Sequence, residues 1–379
     1  MVAGAESPVS PGMLGFLLGA AGMFAVTYST QAILPELGRD FRVGPAAAGL
    51  TISVVVLALA VGAWLWGPLS DRYGRRRSMV LASALVVAPT IGAAVAPSFG
   101  ALLAFRTLQG LCMPGLLTAA VPYVAEAFAP QIGRAMGWYI AALIAGGLVG
   151  RLGVGLLAAA VGWRWAIGVL AALPFAAAVV MHRSLVDVPA APRTAGRLSG
   201  IGLQLRNGRL LRAAAVGTAF FFTFVGTFSY VVYRLERPPF AFGQAAESLV
   251  FVLWLLGASG PLLGRIADRI GWRRLALAAV SVAGLGLVLT LPSHLPNLVA
   301  GLALIALGNF AGVTAAQLAV TDAAEVDRGV SSAVYFSLYY GIGSLAGYLP
   351  GLAWQAWQWN GVVASGLAAL ATAALALRL

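Results

Sequence analysis

Long apolar runs separated by short polar connections recur along the whole chain, at residues 13–35, 47–67, 78–96, 100–124, 135–160, 163–181, 211–233, 247–264, 274–291, 296–321, 330–350 and 355–377. An α-helix needs about 20 mostly apolar residues to cross a hydrocarbon core. The pattern therefore predicts twelve transmembrane helices, spans 1–12. The period-2 alternation of a lipid-facing β-barrel is missing. Proline interrupts several runs, at Pro114, Pro174, Pro261 and Pro350, which a helical bundle tolerates where neighbours satisfy the freed carbonyls. The longest connection, 182–210, is rich in Arg, Pro, Ser and Gly and contains Val188-Pro189-Ala190-Ala191-Pro192-Arg193. It reads as a linker between an N-terminal half, 1–181, and a C-terminal half, 211–379.

Composition agrees with this pattern and narrows it. Of 379 residues, 60% are hydrophobic and only 9% charged, whereas soluble domains carry about 25% charge. A water-soluble fold is excluded. The 24 basic residues are all arginine, against twelve acids. With the N-terminus placed in the cytoplasm, seventeen arginines fall in cytoplasmic loops and ends, and Arg39, Arg42, Arg164, Arg234 and Arg237 fall outside. That asymmetry puts both termini in the cytoplasm, as expected for a multi-pass protein of a bacterial inner membrane. Because the arginines are spread over short connections, nucleic acid is not an expected partner. No Arg or Lys occurs before Arg39, so the first apolar segment is predicted to be a retained helix rather than a cleaved signal. Trp163, Trp165, Trp357 and Trp359 are expected as interfacial anchors.

Catalytic chemistry finds little support. His182 and His294 fall in loops, no His/Asp/Ser set converges, and no phosphate-binding loop of the G-x4-G-K-S/T type occurs, so neither an enzyme nor an ATP-driven pump is expected. The single cysteine, Cys112, allows neither a disulfide nor a thiolate metal cluster. No cofactor or metal site is predicted. The expected partners are a small-molecule substrate, membrane lipid and protons, with the chain acting as a monomer.

The sequence also repeats internally. At an offset of 197, Gly67-Pro-Leu69-Ser-Asp71-Arg72-Tyr-Gly74-Arg75-Arg76 aligns with Gly264-Arg-Ile266-Ala-Asp268-Arg269-Ile-Gly271-Trp-Arg273, seven of ten positions being matched or similar. Each copy follows the second span of its half. A tight turn needs glycine, a carboxylate can cap a helix N-terminus, and guanidinium groups can pair with acids on neighbouring loops. Here the chain resembles the major facilitator superfamily, whose loop signature has the form G-x-L-x-D-R-x-G-R-R. That resemblance implies an all-α membrane protein with two pseudo-symmetric six-helix halves around a central cavity, working as a secondary transporter by alternating access. Leu102-x3-Arg106-x2-Gln109-Gly110 matches the span-4 pattern of proton-coupled members. Gly137-x8-Gly146-x3-Gly150, followed by Gly155, resembles the span-5 pattern of proton-exchanging exporters, except that Arg151 stands where that pattern has proline.

From the family's pseudo-symmetry, spans 1, 4, 7 and 10 should line the cavity, with 2, 5, 8 and 11 as its walls. Candidate lining residues are Phe24, Tyr28 and Gln31; Arg106, Gln109 and Met113; Phe220, Thr223, Thr227 and Tyr230; and Asn309, Val313 and Gln317. Arg151, Trp254, Tyr335 and Tyr339 belong to the walls. The two turns, with Glu126, Arg134, Asp322 and Arg328, are expected to form a cytoplasmic charge network that holds an outward-open state. Gly137, Gly146, Gly150 and Gly155 are expected to serve helix packing, with Gly146 and Gly150 facing Gly257, Ala258 and Gly260 of span 8. Arg106 lies nearer an outer end, where snorkelling competes with a cavity role. No acid shares the depth of Arg151, whose charge should then meet water, carbonyls and a polar or anionic substrate. Two transport readings remain open: proton-coupled export of a small amphipathic molecule, and an organic-anion carrier with Arg151 as clamp. A membrane-embedded enzyme and a transport-dead sensor are the readings from other classes.

Overall fold

A computed structural model describes residues 11–128, 132–187, 199–323 and 328–378, all of it helices and connections with no strand among the described residues. Ten helices are α1 Gly12–Phe41, α2 Pro45–Tyr73, α3 Arg75–Ala94, α4 Phe99–Ala127, α5 Ile132–Val161, α6 Trp163–Ser184, α7 Gly208–Glu236, α8 Gln244–Ile270, α9 Trp272–Leu289 and α10 Leu295–Ala323. The last apolar stretch contains two more, α11 (328–356) and α12 (359–378), because the backbone leaves helical geometry at Trp357 and Gln358. There the chain folds back until Gly361 lies on the Ala353 carbonyl. The turn thus comes later than the 350–355 gap expected from the sequence. Residues 188–198, within the predicted linker and including Arg193 and Arg197, lie outside the described residues.

Four helices change their winding mid-course. α1 tightens to 3-10 geometry at Ser29–Ile33, α5 loosens to a π turn at Val149–Gly153, α8 is 3-10 over Leu249–Ser259, and α11 is 3-10 at Ser344–Gly347. Pro261 and Pro350 follow the 3-10 stretches of α8 and α11, and Pro114 and Pro174 follow plain interruptions of α4 and α6 at Met113 and Ala171; each stands in the first turn of the helix that resumes, where the missing N–H has no partner to lose. Buried apolar side chains gather in two clusters. One is built from Met13 to Leu185, the other mainly from Leu210 to Leu377.

The two copies of the repeated turn match closely. Gly74 and Gly271 have φ of 93° and 83°, a region that side chains with a Cβ rarely adopt. Each donates its N–H to the helix before it, at Ser70 and Ala267, and its carbonyl accepts from the helix after it, at Ser78 and Leu275. Beside the first turn Arg75 pairs with Glu126 at 2.6 Å. At the equivalent place of the second, Trp272 donates to Asp322 at 2.7 Å. We call this the basic end of the molecule and the opposite one the far end.

At the far end the helices of the two clusters meet directly. Gly49 of α2 and Gly347 of α11 touch backbone to backbone, Gly351 abuts Ala46, and Gly155 of α5 abuts Ser248 of α8. Arg39 pairs with Glu236, while Gln244 donates to Glu36 at 2.8 Å. Further in, Trp64 of α2 donates to Ser337 of α11 at 2.9 Å. The far end is closed. Toward the basic end α10 passes from buried Asn309 to exposed Gln317.

Two expectations about packing need correction. Gly146 and Gly150 face α1, not α8: a Cβ at either would lie 2.1 Å from the Ala21 or Ala25 carbonyl oxygen. Ala21 and Ala25 repeat with the same four-residue spacing as the two glycines, so small residues meet small residues. Gly137 has no neighbour within 4 Å and serves no packing contact. Of the tryptophans expected at an interface, Trp165 and Trp357 are exposed, but Trp163 and Trp359 are buried, donating to Asp40 and Thr290 at 3.0 Å each.

Gly150→Leu should therefore destabilise the protein by ~1–3 kcal/mol or more, as overpacking does, whereas Gly137→Leu should be neutral. Thermal melts read by a thiol-reactive dye on the half-buried Cys112 separate the two; equal melting of both variants would contradict the α1–α5 contact.

Candidate functional site

Two arginines are completely buried within the membrane-spanning region, and their surroundings differ. Arg106 of α4 sits among α1, α2 and α4. Its Nη2 donates to the Thr27 carbonyl at 2.6 Å, and its Nη1 donates to Val26 carbonyl at 2.8 Å, Ser29 Oγ at 3.3 Å and Gln109 Oε1 at 2.7 Å. Its Nε donates to the Thr51 carbonyl at 3.0 Å. The Val26 and Thr27 carbonyls belong to the turn where α1 changes to 3-10 winding, so their ordinary helical donors are displaced. Gln109 is held in turn, donating to Thr90 at 3.0 Å, and Met113 Sδ accepts from Thr27 at 3.0 Å. These three residues were expected to line the cavity; each is instead engaged inside the N-terminal cluster. Arg106 does not snorkel.

Arg151 of α5 lies where α1, α5 and α8 converge. Its Nη1 donates to the Gly147 carbonyl at 2.6 Å, in the turn leading into the π segment, and its Nε donates to Gln31 Oε1 at 2.6 Å. The guanidinium carbon lies 4.0 Å from the ring centroid of Tyr28 on α1 and 3.3 Å from that of Trp254 on α8. A cation held against aromatic faces out of water gains up to about 2 kcal/mol or more from each. No carboxylate among the described residues contacts it, and Nη2 has no hydrogen-bond partner. Gln31 extends the network across the two clusters, its Nε2 donating to Ser229 Oγ at 2.8 Å and to the Val225 carbonyl at 3.2 Å on α7.

Aromatic rings continue outward from this point. Trp254 lies tilted against Phe224 at 4.5 Å and approaches Phe228 at 6.2 Å, and Phe224 reaches Phe310 at 5.7 Å. Phe24 edges onto Tyr28 at 6.1 Å. A second ring group on α7 and α11 joins Phe221, Tyr335, Tyr339 and Tyr340. Four other expected cavity residues carry buried polar atoms with no partner: Trp254 Nε1, Thr227 Oγ1, Asn309 Oδ1 and the Tyr335 hydroxyl. Buried polar groups are nearly always bonded, so each of these four atoms has capacity for a polar ligand or water, as have unpartnered atoms elsewhere, Ser83 Oγ and Trp354 Nε1 among them.

The other expected residues are placed elsewhere. Thr223 Oγ1 donates to Ala219 and Gly366 carbonyls, toward α12. Phe220 fills the space over Gly312. Tyr230 seals the far end, donating to Gly347 at 2.5 Å and Pro45 at 3.2 Å. Val313 is partly buried and Gln317 exposed toward the basic end.

Among the gate residues, Arg75 and Glu126 pair within the N-terminal cluster and Asp322 bonds Trp272 within the C-terminal one. Arg72 lies 5.4 Å from the Tyr73 ring centroid. Asp71, Arg134, Asp268 and Arg269 are exposed at the basic end. Gly67 and Gly264 have nothing within 4 Å and make no close approach. The side chain of Arg328 lies outside the described residues. Sequence reasoning missed Ser229, Phe224, Phe228 and Phe310, although the four-residue spacing of Phe220, Phe224 and Phe228 shows one aromatic face on α7.

Comparison with known proteins adds independent findings. A family model described as Major Facilitator Superfamily matches residues 16–348. The chain is 31% identical over 356 residues to the uncharacterized MFS-type transporter YybF of Bacillus subtilis (strain 168), covering 92% of this chain and 88% of that one. It is 32% identical over 345 residues to the inner membrane transport protein YnfM of Escherichia coli (strain K12), covering 89% and 83%. Among solved structures, a bacterial homologue of the human lysosomal transporter Spinster, in an inward-facing and unoccupied conformation, superposes with a TM-score of 0.77 at 16% identity, covering 97% and 95% of the two chains. That last likeness is one of fold.

Arg106→Ala, which places at α4 the residue type that Ala303 supplies at the matching position of α10, removes the donor to the Thr27 carbonyl and to Gln109 Oε1. Each orphaned buried group costs about 1–3 kcal/mol, so aggregation on heating should begin markedly earlier than for Arg151→Ala. The reverse order would assign the structural role to the wrong arginine.

Proposed function

The chain belongs to the major facilitator superfamily, a family of transporters rather than enzymes, and on that premise we propose that it exports a small amphipathic molecule bearing an anionic or strongly polar acceptor, in exchange for protons. The half-repeats form the two bodies that rock about the Arg151 region, which alternates its exposure between the two faces. The single observation that carries the substrate class is the state of Arg151: fully buried, flanked by Tyr28 and Trp254, free of any carboxylate contact among the described residues, and with Nη2 unpartnered. An organic cation gains nothing from such a site. A carboxylate or phosphoryl oxygen accepts from Nη2, the one nitrogen left unpartnered, while the adjoining rings receive the apolar part.

Sidedness follows from charge. The arginine-rich end, with the Gly74 and Gly271 turns, faces the cytoplasm and the far end faces outward, which makes the protein a multi-pass protein of a bacterial cytoplasmic membrane with both termini inside. The relative named as an inner membrane transport protein supports that location. Closure at the far end then makes the conformation inward-facing. In the outward-facing form, the exposed Asp71, Arg72, Asp268 and Arg269 at the basic end approach one another and share their charges across the halves.

Screening ligands for thermal stabilisation, then measuring flux in proteoliposomes with and without a pH gradient, tests the reading. Arg151→Lys keeps the charge without the fork and Arg151→Gln loses both, so affinity for an identified cargo should fall in that order, the second by tenfold or more. Full transport by the Gln variant removes the clamp.

A further inference from the structure

We infer that Glu247 is a proton-binding site that couples closure of the far end to proton uptake from that side; this deepens the proton-exchange reading above and rests on it only for the direction of use. Glu247 stands in the first turn of α8 and is 3% exposed. No hydrogen bond or ion pair reaches its carboxylate from the described residues, its one bond being the backbone N–H to Gly243. The next residue, Ser248, is pressed against Gly155 of α5. Ser248 is in any case committed to the Gln244 carbonyl at 2.8 Å.

The charged groups facing it come from two elements. α1 brings Glu36, which accepts from Gln244, and Arg39, which is engaged by Glu236 of α7. The hydroxyl of Tyr233 also lies on α7 and has no partner. Arg234 is turned away to the Leu291 and Pro292 carbonyls, and Arg237 to Gln358. The segment of α5 packed here, Val154–Val161, carries no charge. Arg39 is thus engaged by Glu236 and Glu36 by Gln244, and the most buried of the three carboxylates, Glu247, has no donor. With little exposure and no donor, the ionised carboxylate is disfavoured there, so the closed state favours the protonated form of Glu247.

Opening changes this, because the lid over Glu247 is made of α1 and α5 from the other half. Their withdrawal admits water, and the carboxyl ionises. The closed state binds one proton more than the open one. By linkage, acid on the far side favours closure and alkali favours opening, with at most a tenfold change in the ratio per pH unit. For a carrier whose far end faces outward, external protons would return the emptied, outward-facing form to the inward-facing one.

Full-length protein in lipid nanodiscs, with Cys112→Ser and spin labels on Val161→Cys and Leu291→Cys, reports the far-end distance; both positions are exposed and lie outside the seam. Between about pH 5 and pH 8 the closed fraction of the parent should fall as pH rises, by up to tenfold per unit. In Glu247→Gln and Glu247→Ala the distance should be independent of pH, while Glu36→Gln should keep the parental slope. A parent that ignores pH, or Gln and Ala variants that follow the parental slope, overturns the assignment. Because the measurement uses neither substrate nor gradient, flux that proves independent of protons would remove the exchange reading and leave this site standing.

Discussion

A helix that breaks inside hydrocarbon frees carbonyls that no water can reach, and the arrangement of this protein depends on who satisfies them. At α1 the change of winding at Ser29–Ile33 leaves the Val26 and Thr27 carbonyls to Arg106; at α5 the π turn leaves the Gly147 carbonyl to Arg151. A lone guanidinium at membrane depth is costly, by roughly 2.5–3.5 kcal/mol on insertion scales, and so is a lone carbonyl. Each offsets the other. The two arginines differ in what remains afterwards: every nitrogen of Arg106 is used, whereas Arg151 keeps Nη2 unpartnered. The first is a fixed strut, the second a strut with one donor left for something else.

The repeat shows which interactions both halves require and which only one does. Arg76 donates to the His182 carbonyl at the end of α6, and its mate Arg273 to the Leu377 carbonyl near the end of α12; a cation on the last carbonyls of a helix is favourable in either half. The ion pair of Arg75 with Glu126 becomes a neutral donor on a carboxylate, Trp272 on Asp322. Gly12 and Gly15 let α1 lie on the α6 backbone, but 197 residues on stand Arg209 and Arg212, and a cavity of about 290 Å3 remains among α7, α9, α10 and α12. Arg39 and Glu236 are themselves repeat mates, joined across the seam with opposite charges. The halves share a plan for their loops and differ in their interiors.

Most of the fold was legible because the bilayer imposes length and polarity together: a run that is long and apolar has few alternatives. The repeated turn was legible because glycine with positive φ has few substitutes. The turn between α11 and α12 was misplaced because Trp354, Trp357 and Trp359 are apolar enough to continue a span, and the polar residues among them, Gln355, Gln358 and Asn360, do not single out the reversal at Trp357 and Gln358. The site was harder. Arg106 and Arg151 are both mid-sequence arginines in apolar runs, and no local pattern says that one would meet freed carbonyls of α1 and the other two rings. Nor could spacing tell which helix Gly146 and Gly150 face, since α1 and α8 both offer small residues; only their shared register with Ala21 and Ala25 decides it.

In the proposed transport cycle, Arg151 ties the chemistry of the site to the movement of the halves. Its two aromatic faces come from opposite halves, Tyr28 from α1 and Trp254 from α8, and Gln31, which holds its Nε, is itself bonded to Ser229 of α7. When the halves part at the far end, a guanidinium carried on α5 keeps Tyr28 and Gly147 and loses Trp254. Its unmet demand therefore rises as the far end opens. A polar acceptor that takes the place of Trp254 favours the open form, and one that fits beside the ring leaves the closed form intact. The direction in which binding biases the carrier is thus set by whether the cargo competes with an aromatic face for the same cation or uses the free Nη2 alongside it.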